Sequence, residues 1–483
     1  MSARVRLAVA VCVVVPWLAA CEPHASKTPP DTQLPSAYRA EVATGPSLGN
    51  VPWRQLYQDP VLQSLIEKAL IKNYDVELAY MSVLEAEASL GITAANQSVF
   101  VNGVIQAPYQ ITTGNKNPNT PEQVFTPQAG IAAAYQFDLF GRLSSATGAA
   151  RDRLLSTEEA KNTVLATVVA QVATAYFELR ELDAVLAFTQ QAVTDRQQAV
   201  VLMKARVEGG ESSLQDLRQA EQALYEVTQN VPALRQSIAQ TENALAVLTG
   251  DYPYAIQRGR PLEQQVAMPA VPQTGVASDL LQRRPDIQQG EFAIAAAGGD
   301  VDVARKLLYP SLALGATAAL GYQHENGVYA SPPPALAALS NVNGIWYGPL
   351  GLFSILPQLV QPIFNGGQIR SQIHLAEAQQ QATAISYLQT VHRAFEEVSD
   401  DVTAYNQSRL RTEQLKLYED ASLDSVRLGV ERYQEGYTSY LEVLDSQTRA
   451  YQAQIDYSQG LLNERLALVR LYLALGGGWQ TVQ

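Results

Sequence analysis

Glu442 and Asp445 are the residues of this chain whose type and spacing point most directly to a task. Three positions apart, they fall on one helical face, so their carboxylates stack one above the other. They follow a corner, Glu431-Arg432-Tyr433-Gln434-Glu435-Gly436-Tyr437-Thr438-Ser439, in which Gly436 supplies the turn and Ser439 can cap the next helix. The corner occurs twice: Arg206-Val207-Glu208-Gly209-Gly210-Glu211-Ser212-Ser213 repeats it at a displacement of about 226 positions. Arg206/Arg432, Gly210/Gly436, Ser213/Ser439, Asp216/Glu442, Tyr225/Tyr451 and Leu245/Leu471 keep that offset. The chain therefore reads as a tandem duplication organised around two hairpin tips. No catalytic pattern accompanies them. His24, His324, His374 and His392 have no carboxylate or thiol at metal-ligand spacing. Phosphate loop, nucleophile elbow and dinucleotide fingerprint are all missing from the sequence. The expectation is a protein that is not an enzyme and has no cofactor and no metal site.

Cys21 carries the other chemistry. Arg4 and Arg6 precede the apolar run Leu7–Leu18, and Leu18-Ala19-Ala20 lead straight into Cys21. That is a secretory signal ending in a lipobox, so residues 1–20 read as a lipoprotein signal peptide and Cys21 as the lipidated first residue of the mature chain. Glu22, where an aspartate would favour inner-membrane retention, points to the outer membrane. Cys12 lies in the removed part, which leaves no thiol for a disulfide. After Cys21 no apolar run approaches the roughly 20 residues of a membrane helix. If the chain crosses a membrane, it does so with strands. A net charge of −13 argues against nucleic acid as a partner.

Periodicity supplies the elements that position these residues. Residues 21–59 are Pro/Ser/Thr-rich and read as a lipid-anchored tether. A first repeat, 60–250, opens with one helix from Pro60 to about Ala95. Period-two runs then predict strands at about 97–111 and 129–139, separated by a polar turn segment, Thr112–Gln128. A helix follows from Gly141 to Val207, roughly 100 Å long at 1.5 Å per residue. Beyond Gly210, Leu214, Leu217, Ala220, Leu224 and Val227 form a coiled-coil seam that Pro232 interrupts. A proline-rich linker spans 251–277, and a second repeat, 278–478, restarts at Leu280-Leu281-Gln282-Arg283-Arg284-Pro285-Asp286-Ile287. It predicts strands at about 310–322 and 350–364, a second long helix to Gly436, and a last helix; 479–483 is a tail.

Four strands cannot close a barrel, and lipid tolerates no open edge, so spanning strands force oligomerisation. Three copies bring twelve strands, a number that closes. On these features the chain resembles the TolC-like outer-membrane efflux channels, in their lipoprotein branch. The lipobox, Leu280–Ile287, the junctions Phe137-Asp138-Leu139-Phe140-Gly141-Arg142 and Gln361-Pro362-Ile363-Phe364-Asn365-Gly366-Gly367, and the duplicated corner carry the resemblance. It implies a membrane α+β fold: a homotrimer with a twelve-stranded outer-membrane β-barrel, continued by a periplasmic barrel of twelve long coiled-coil helices. It implies a passive exit duct for drugs or other small molecules, working with a periplasmic adaptor and an inner-membrane pump. By the same resemblance Tyr433, Glu442 and Asp445 form the gate, with threefold symmetry making carboxylate rings and Tyr433 latching neighbouring copies. The tips Arg206, Gly210, Ser213, Arg432, Gly436 and Ser439 meet the adaptor. Two departures, glutamate at 442 where aspartate is usual and Thr438 without a basic neighbour, imply a differently wired latch. Type I protein secretion by the same fold, or a lipid-anchored coiled-coil scaffold without a pore, are the alternatives. The four alternating runs count against the scaffold.

Overall fold

The computed structural model describes residues 28–30, 45–112, 122–266, 272–325 and 345–480. Cys21, the signal segment and most of the tether lie outside them. The chain divides into two compact units, each described by itself. Residues 86–154 and 293–383 belong to one, and 45–85, 155–292 and 384–480 to the other.

The first unit holds an antiparallel sheet. In chain order its strands are β1 (Phe100–Gln106), β2 (Tyr109–Thr112), β3 (Glu122–Phe125), β4 (Gln128–Phe137), β5 (Ser311–Glu325) and β6 (Ile345–Val360). β1 and β2 form one bent strand, β3 and β4 another, and the pairing runs β1/β2 to β3/β4 to β5 to β6. The sequence predicts unbroken strands at 97–111 and 129–139; the first is instead interrupted at Pro108, while the second is unbroken as β4 and is preceded, across Pro127, by β3. Proline has no N–H for the ladder. Its carbonyl still serves: Thr126 N donates to Pro108 O (3.0 Å) and Tyr322 N to Pro127 O (3.0 Å). The expected turn segment 112–128 contains β3, which pairs with β2 from Tyr109↔Phe125 to Thr112↔Glu122. The fourth strand is Ile345–Val360 rather than 350–364. Pro357 sits inside it opposite Leu314, tolerated because among the described residues β6 pairs on one side only. Gln361-Pro362 then ends it.

Register sorts the side chains. Val101, Ile105, Ile131, Ala133, Tyr135, Phe137, Leu312, Leu314, Ala316, Leu320, Phe353, Ile355 and Leu359 share one face through pairs such as Val101↔Ala133↔Ala316↔Ile355. The opposite face carries Asn102, Gln106, Gln128, Gln136, Ser311, Thr317, Ser354 and Gln358 among small and aliphatic residues. Below β4, Asp138 caps the next helix, accepting from Leu143 N (2.9 Å) and Ser144 N (2.7 Å). Phe140 stacks on Tyr309 with ring centroids 5.0 Å apart.

The helices follow the predicted periods and break where local chemistry demands. α1 is Trp53–Leu56. The helix predicted from Pro60 to Ala95 is two, α2 (Pro60–Lys72) and α3 (Tyr74–Ala95). Buried Asn73 separates them, its Oδ1 accepting from Asp75 N (2.9 Å) and Val76 N (3.2 Å) to restart the helix. α4 is Arg142–Glu208. α5 (Leu214–Thr228) and α6 (Asn230–Leu248) part at Gln229, because the Pro232 ring cannot follow the carbonyl of Thr228. The helix that the restart at Leu280 leads one to expect, running to about Leu308, is likewise two, α7 (Leu280–Arg283) and α8 (Pro285–Lys306). Pro285 forces Arg284 into extended backbone (φ −84°, ψ 117°). α9 (Gln368–Gln434) and α10 (Tyr440–Ala474) complete the chain. α4 and α9 have 67 residues each, and α3 and α8 have 22 each. None of the described helices is long and apolar enough to cross a membrane.

Within the second unit a buried carboxylate ties the linker to α2 and to the long helix that carries Tyr176. Asp59 caps α2 through Val61 N (2.9 Å) and also accepts from Tyr176 OH (3.0 Å), Arg260 N (2.8 Å) and Gln265 Nε2 (2.8 Å). A Cβ at Gly259 would lie 2.1 Å from that carboxylate, so only glycine fits there.

Candidate functional site

Both corners end their long helix in the same backbone motif. Gly210 (φ +76°) and Gly436 (φ +80°) take the left-handed conformation that glycine adopts without strain. Glu211 N returns to Arg206 O (2.8 Å) and Gly210 N to Val207 O (3.1 Å). Tyr437 N returns to Arg432 O (2.9 Å) and Gly436 N to Tyr433 O (3.1 Å). These bonds satisfy carbonyls that a helix end leaves open.

Past the turns the corners differ. Ser213 and Asp216 close a reciprocal capping box: Asp216 N donates to Ser213 Oγ (3.2 Å) and Ser213 N to Asp216 Oδ2 (3.0 Å). The hydroxyl of Ser213, its N–H and the hydroxyl of Ser212 hold the Asp216 carboxyl below its usual range. Ser439 occupies the equivalent cap position, yet the side-chain cap expected of it does not form. Glu442, one methylene longer than Asp216, reaches past Ser439 and accepts from Thr438 Oγ1 and from Arg432 Nη1 (3.2 Å). Asp445 accepts from Arg449 Nε, one turn on (2.8 Å). The two carboxylates thus share a face and each holds its own arginine.

Tyr433 turns away from them, toward the other corner. Arg206 Nη1 donates to its hydroxyl (2.6 Å), and the guanidinium lies 4.8 Å from its ring centroid. The ring meets Tyr440 edge-on at 5.6 Å and packs on buried Met203, Leu217 and Ala220, with Val200 and Val207 alongside. The structure therefore joins Arg206 to Tyr433 and Arg432 to Glu442, while Ser213 stays with Asp216. The hydroxyl of Tyr433, expected to latch a neighbouring copy, is engaged within its own chain.

Three further residues were not picked out from the sequence. Arg196 is buried, donating to Ala223 O (2.6 Å) and Thr448 Oγ1 (3.1 Å) beside the Tyr451 ring. Burial, then Tyr433, pushes the Tyr440 phenol up to about 12 while Arg196 pulls the other way. Met203 is the third. Thr189, Arg196 and Met203 recur every seventh position and are all buried, so a heptad count along α4 could have found Arg196 and Met203, though not Tyr440 on α10.

The family model described as outer membrane efflux protein matches residues 65–251 and 276–477. The chain belongs to that family. It is 30% identical to the solvent efflux pump outer membrane protein SrpC of Pseudomonas putida over 472 residues, 94% of this chain and 96% of that protein. It is 29% identical to the cation efflux system protein CusC of Escherichia coli over 491 residues, 97% of this chain and 99% of that one. The open-state crystal structure of the Neisseria gonorrhoeae MtrE outer membrane channel shares the fold. Its TM-score is 0.81 at 24% identity, covering 95% of this chain and 99% of that one.

Proposed function

We propose that three copies of this chain form a passive outer-membrane exit duct, lipid-anchored at Cys21, whose opening is controlled at the Gly210 and Gly436 corners. The observation that carries this is the sheet. Among the described residues β1 pairs only with β4, β2 only with β3, and β6 only with β5, so one chain offers two unsatisfied edges. In lipid such edges must be closed, and a ring of copies closes them. Each copy contributes two repeats, 60–250 and 278–478. The energy for export comes from an inner-membrane pump acting through a periplasmic adaptor. The adaptor contacts the corner residues Arg206, Gly210, Ser213, Arg432, Gly436 and Ser439. Opening is a shift between two packings of the corners, in which the Arg206–Tyr433 and Arg432–Glu442 contacts belong to the closed one. Kinship with the solvent pump protein supports small organic molecules as cargo.

Native mass spectrometry of the detergent-purified protein tests the assembly. The expected species has three chains, each carrying acyl mass on Cys21. A folded monomer that supports export would overturn the proposal.

A further inference from the structure

We infer that the membrane-spanning wall of the passage is electrically neutral, which suits it to uncharged amphiphilic organic solutes. This deepens the duct reading and rests on it. The argument starts from register. The face through Val101, Ile131, Tyr135, Leu314, Ile355 and Leu359 is continuously apolar and belongs against lipid. The passage then takes the other face. Its described side chains are the amides Asn102, Gln106, Gln128, Gln136 and Gln358, the hydroxyls Ser311, Thr317 and Ser354, alanines and glycines, and the apolar Phe100, Val104, Leu356 and Val360. From Phe100 to Ile111, Val124 to Phe137, Ser311 to Tyr322 and Gly351 to Val360 every residue is uncharged on both faces.

A confined wall of one sign concentrates ions of the other and excludes its own. An amide and hydroxyl wall does neither, yet it offers donors and acceptors to polar groups, while Leu356, Val360, Phe100 and Val104 offer apolar surface. The solutes such a lining favours carry hydrogen-bonding groups and apolar surface without net charge. Any ionic selectivity must then arise outside these uncharged stretches, at groups such as Glu442 and Asp445.

Cysteine accessibility tests this at single positions. Ala132 and Thr317 are register partners on the passage face; Ala133 and Ala316 are partners at the same level on the lipid face. Each is replaced singly by cysteine in the full-length protein in proteoliposomes. Membrane-impermeant cationic and anionic methanethiosulfonates are added on both sides, with the parent protein as background. Ala132→Cys and Thr317→Cys should react while Ala133→Cys and Ala316→Cys are protected. The ratio of cationic to anionic rates should stay within about threefold of that for a free thiol in solution, since a charged passage shifts such rates by roughly tenfold or more. A tenfold shift in either direction overturns the neutral wall and leaves the duct standing. Reaction confined to Ala133→Cys and Ala316→Cys overturns the face assignment. Protection at all four positions in a folded assembly removes the duct reading itself.

Discussion

Removing one oxygen atom isolates the contact that joins the two corners. Arg206 donates to the Tyr433 hydroxyl over 2.6 Å while its guanidinium stays 4.8 Å from the ring. Tyr433→Phe deletes the hydrogen bond and keeps the ring against Tyr440 and Met203. A hydrogen bond to a charged group contributes about 1.5–3 kcal/mol when buried. Both partners are half-buried here, so screening brings the expected value to about 1.4 kcal/mol, a tenfold change per chain. If three copies open together the factors multiply, to about a thousandfold in the closed-to-open ratio. The assay is the open fraction in planar bilayers without adaptor. Tyr433→Phe should raise it by between about tenfold and a thousandfold, and Arg206→Ala should do the same. The double variant should exceed neither single one, because both remove the same bond. An unchanged open fraction in a correctly assembled Tyr433→Phe protein refutes the reasoning. Fully additive single effects would show that the two residues act separately.

Other outcomes follow from the same structure. Asp59→Ala strips four donors of their buried acceptor and should cost about 3–5 kcal/mol, read as a loss of heat resistance of the purified assembly with the corners untouched. Glu181 is 7% exposed, and burial followed by the charge of Glu178 pushes its carboxyl up from 4.5 to about 7. A raised carboxyl favours the fold fully below about pH 4.5, and that contribution is lost as pH rises through about 7. Glu181→Gln should therefore gain about 3 kcal/mol over the parent at pH 8 and little at pH 4.5, by thermal or denaturant midpoint; equal gains at both would contradict it. Cys21→Ser should lose the acyl mass from the intact protein and release it from the membrane-pellet fraction more readily, while leaving conductance in bilayers unaltered.

How much of this was legible in the sequence depends on range. The two turns read correctly because glycine and the long flanking periodicities are local signals, and the offset between Gly210 and Gly436 repeats them; the serine cap held at Ser213 only. The extents of α4 and α9 follow from unbroken helical periods. The helix breaks at Asn73 and Arg284 escaped because apolar periodicity continues across them. Yet Asn73 before Asp75 and Glu77 is a cap signal, and Pro285 alone restricts Arg284. The bend at Pro108 was likewise visible as a proline inside an alternating run, whereas Pro127 lay in the segment read as a turn. The wiring of the site was not visible. Arg206 and Tyr433 stand 227 positions apart, and Asp59 meets Gln265 across 206. No periodicity encodes such pairs. The missing box at Ser439 goes with the bonds that Glu442 makes instead to Thr438 and Arg432, which a pattern of acidic residues does not encode.

The central claim is a gated pore, and single-channel conductance of the purified, lipidated protein tests it most directly, beside the double substitution Glu442→Ala, Asp445→Ala. Those substitutions release Arg432 and Arg449 as well as removing two carboxylates per chain. The parent should show small, cation-selective openings that become larger and lose their cation preference in the variant. Conductance that is identical in the two would keep the pore and remove these residues as its gate. No conductance from either protein, in a folded assembly, would contradict the account.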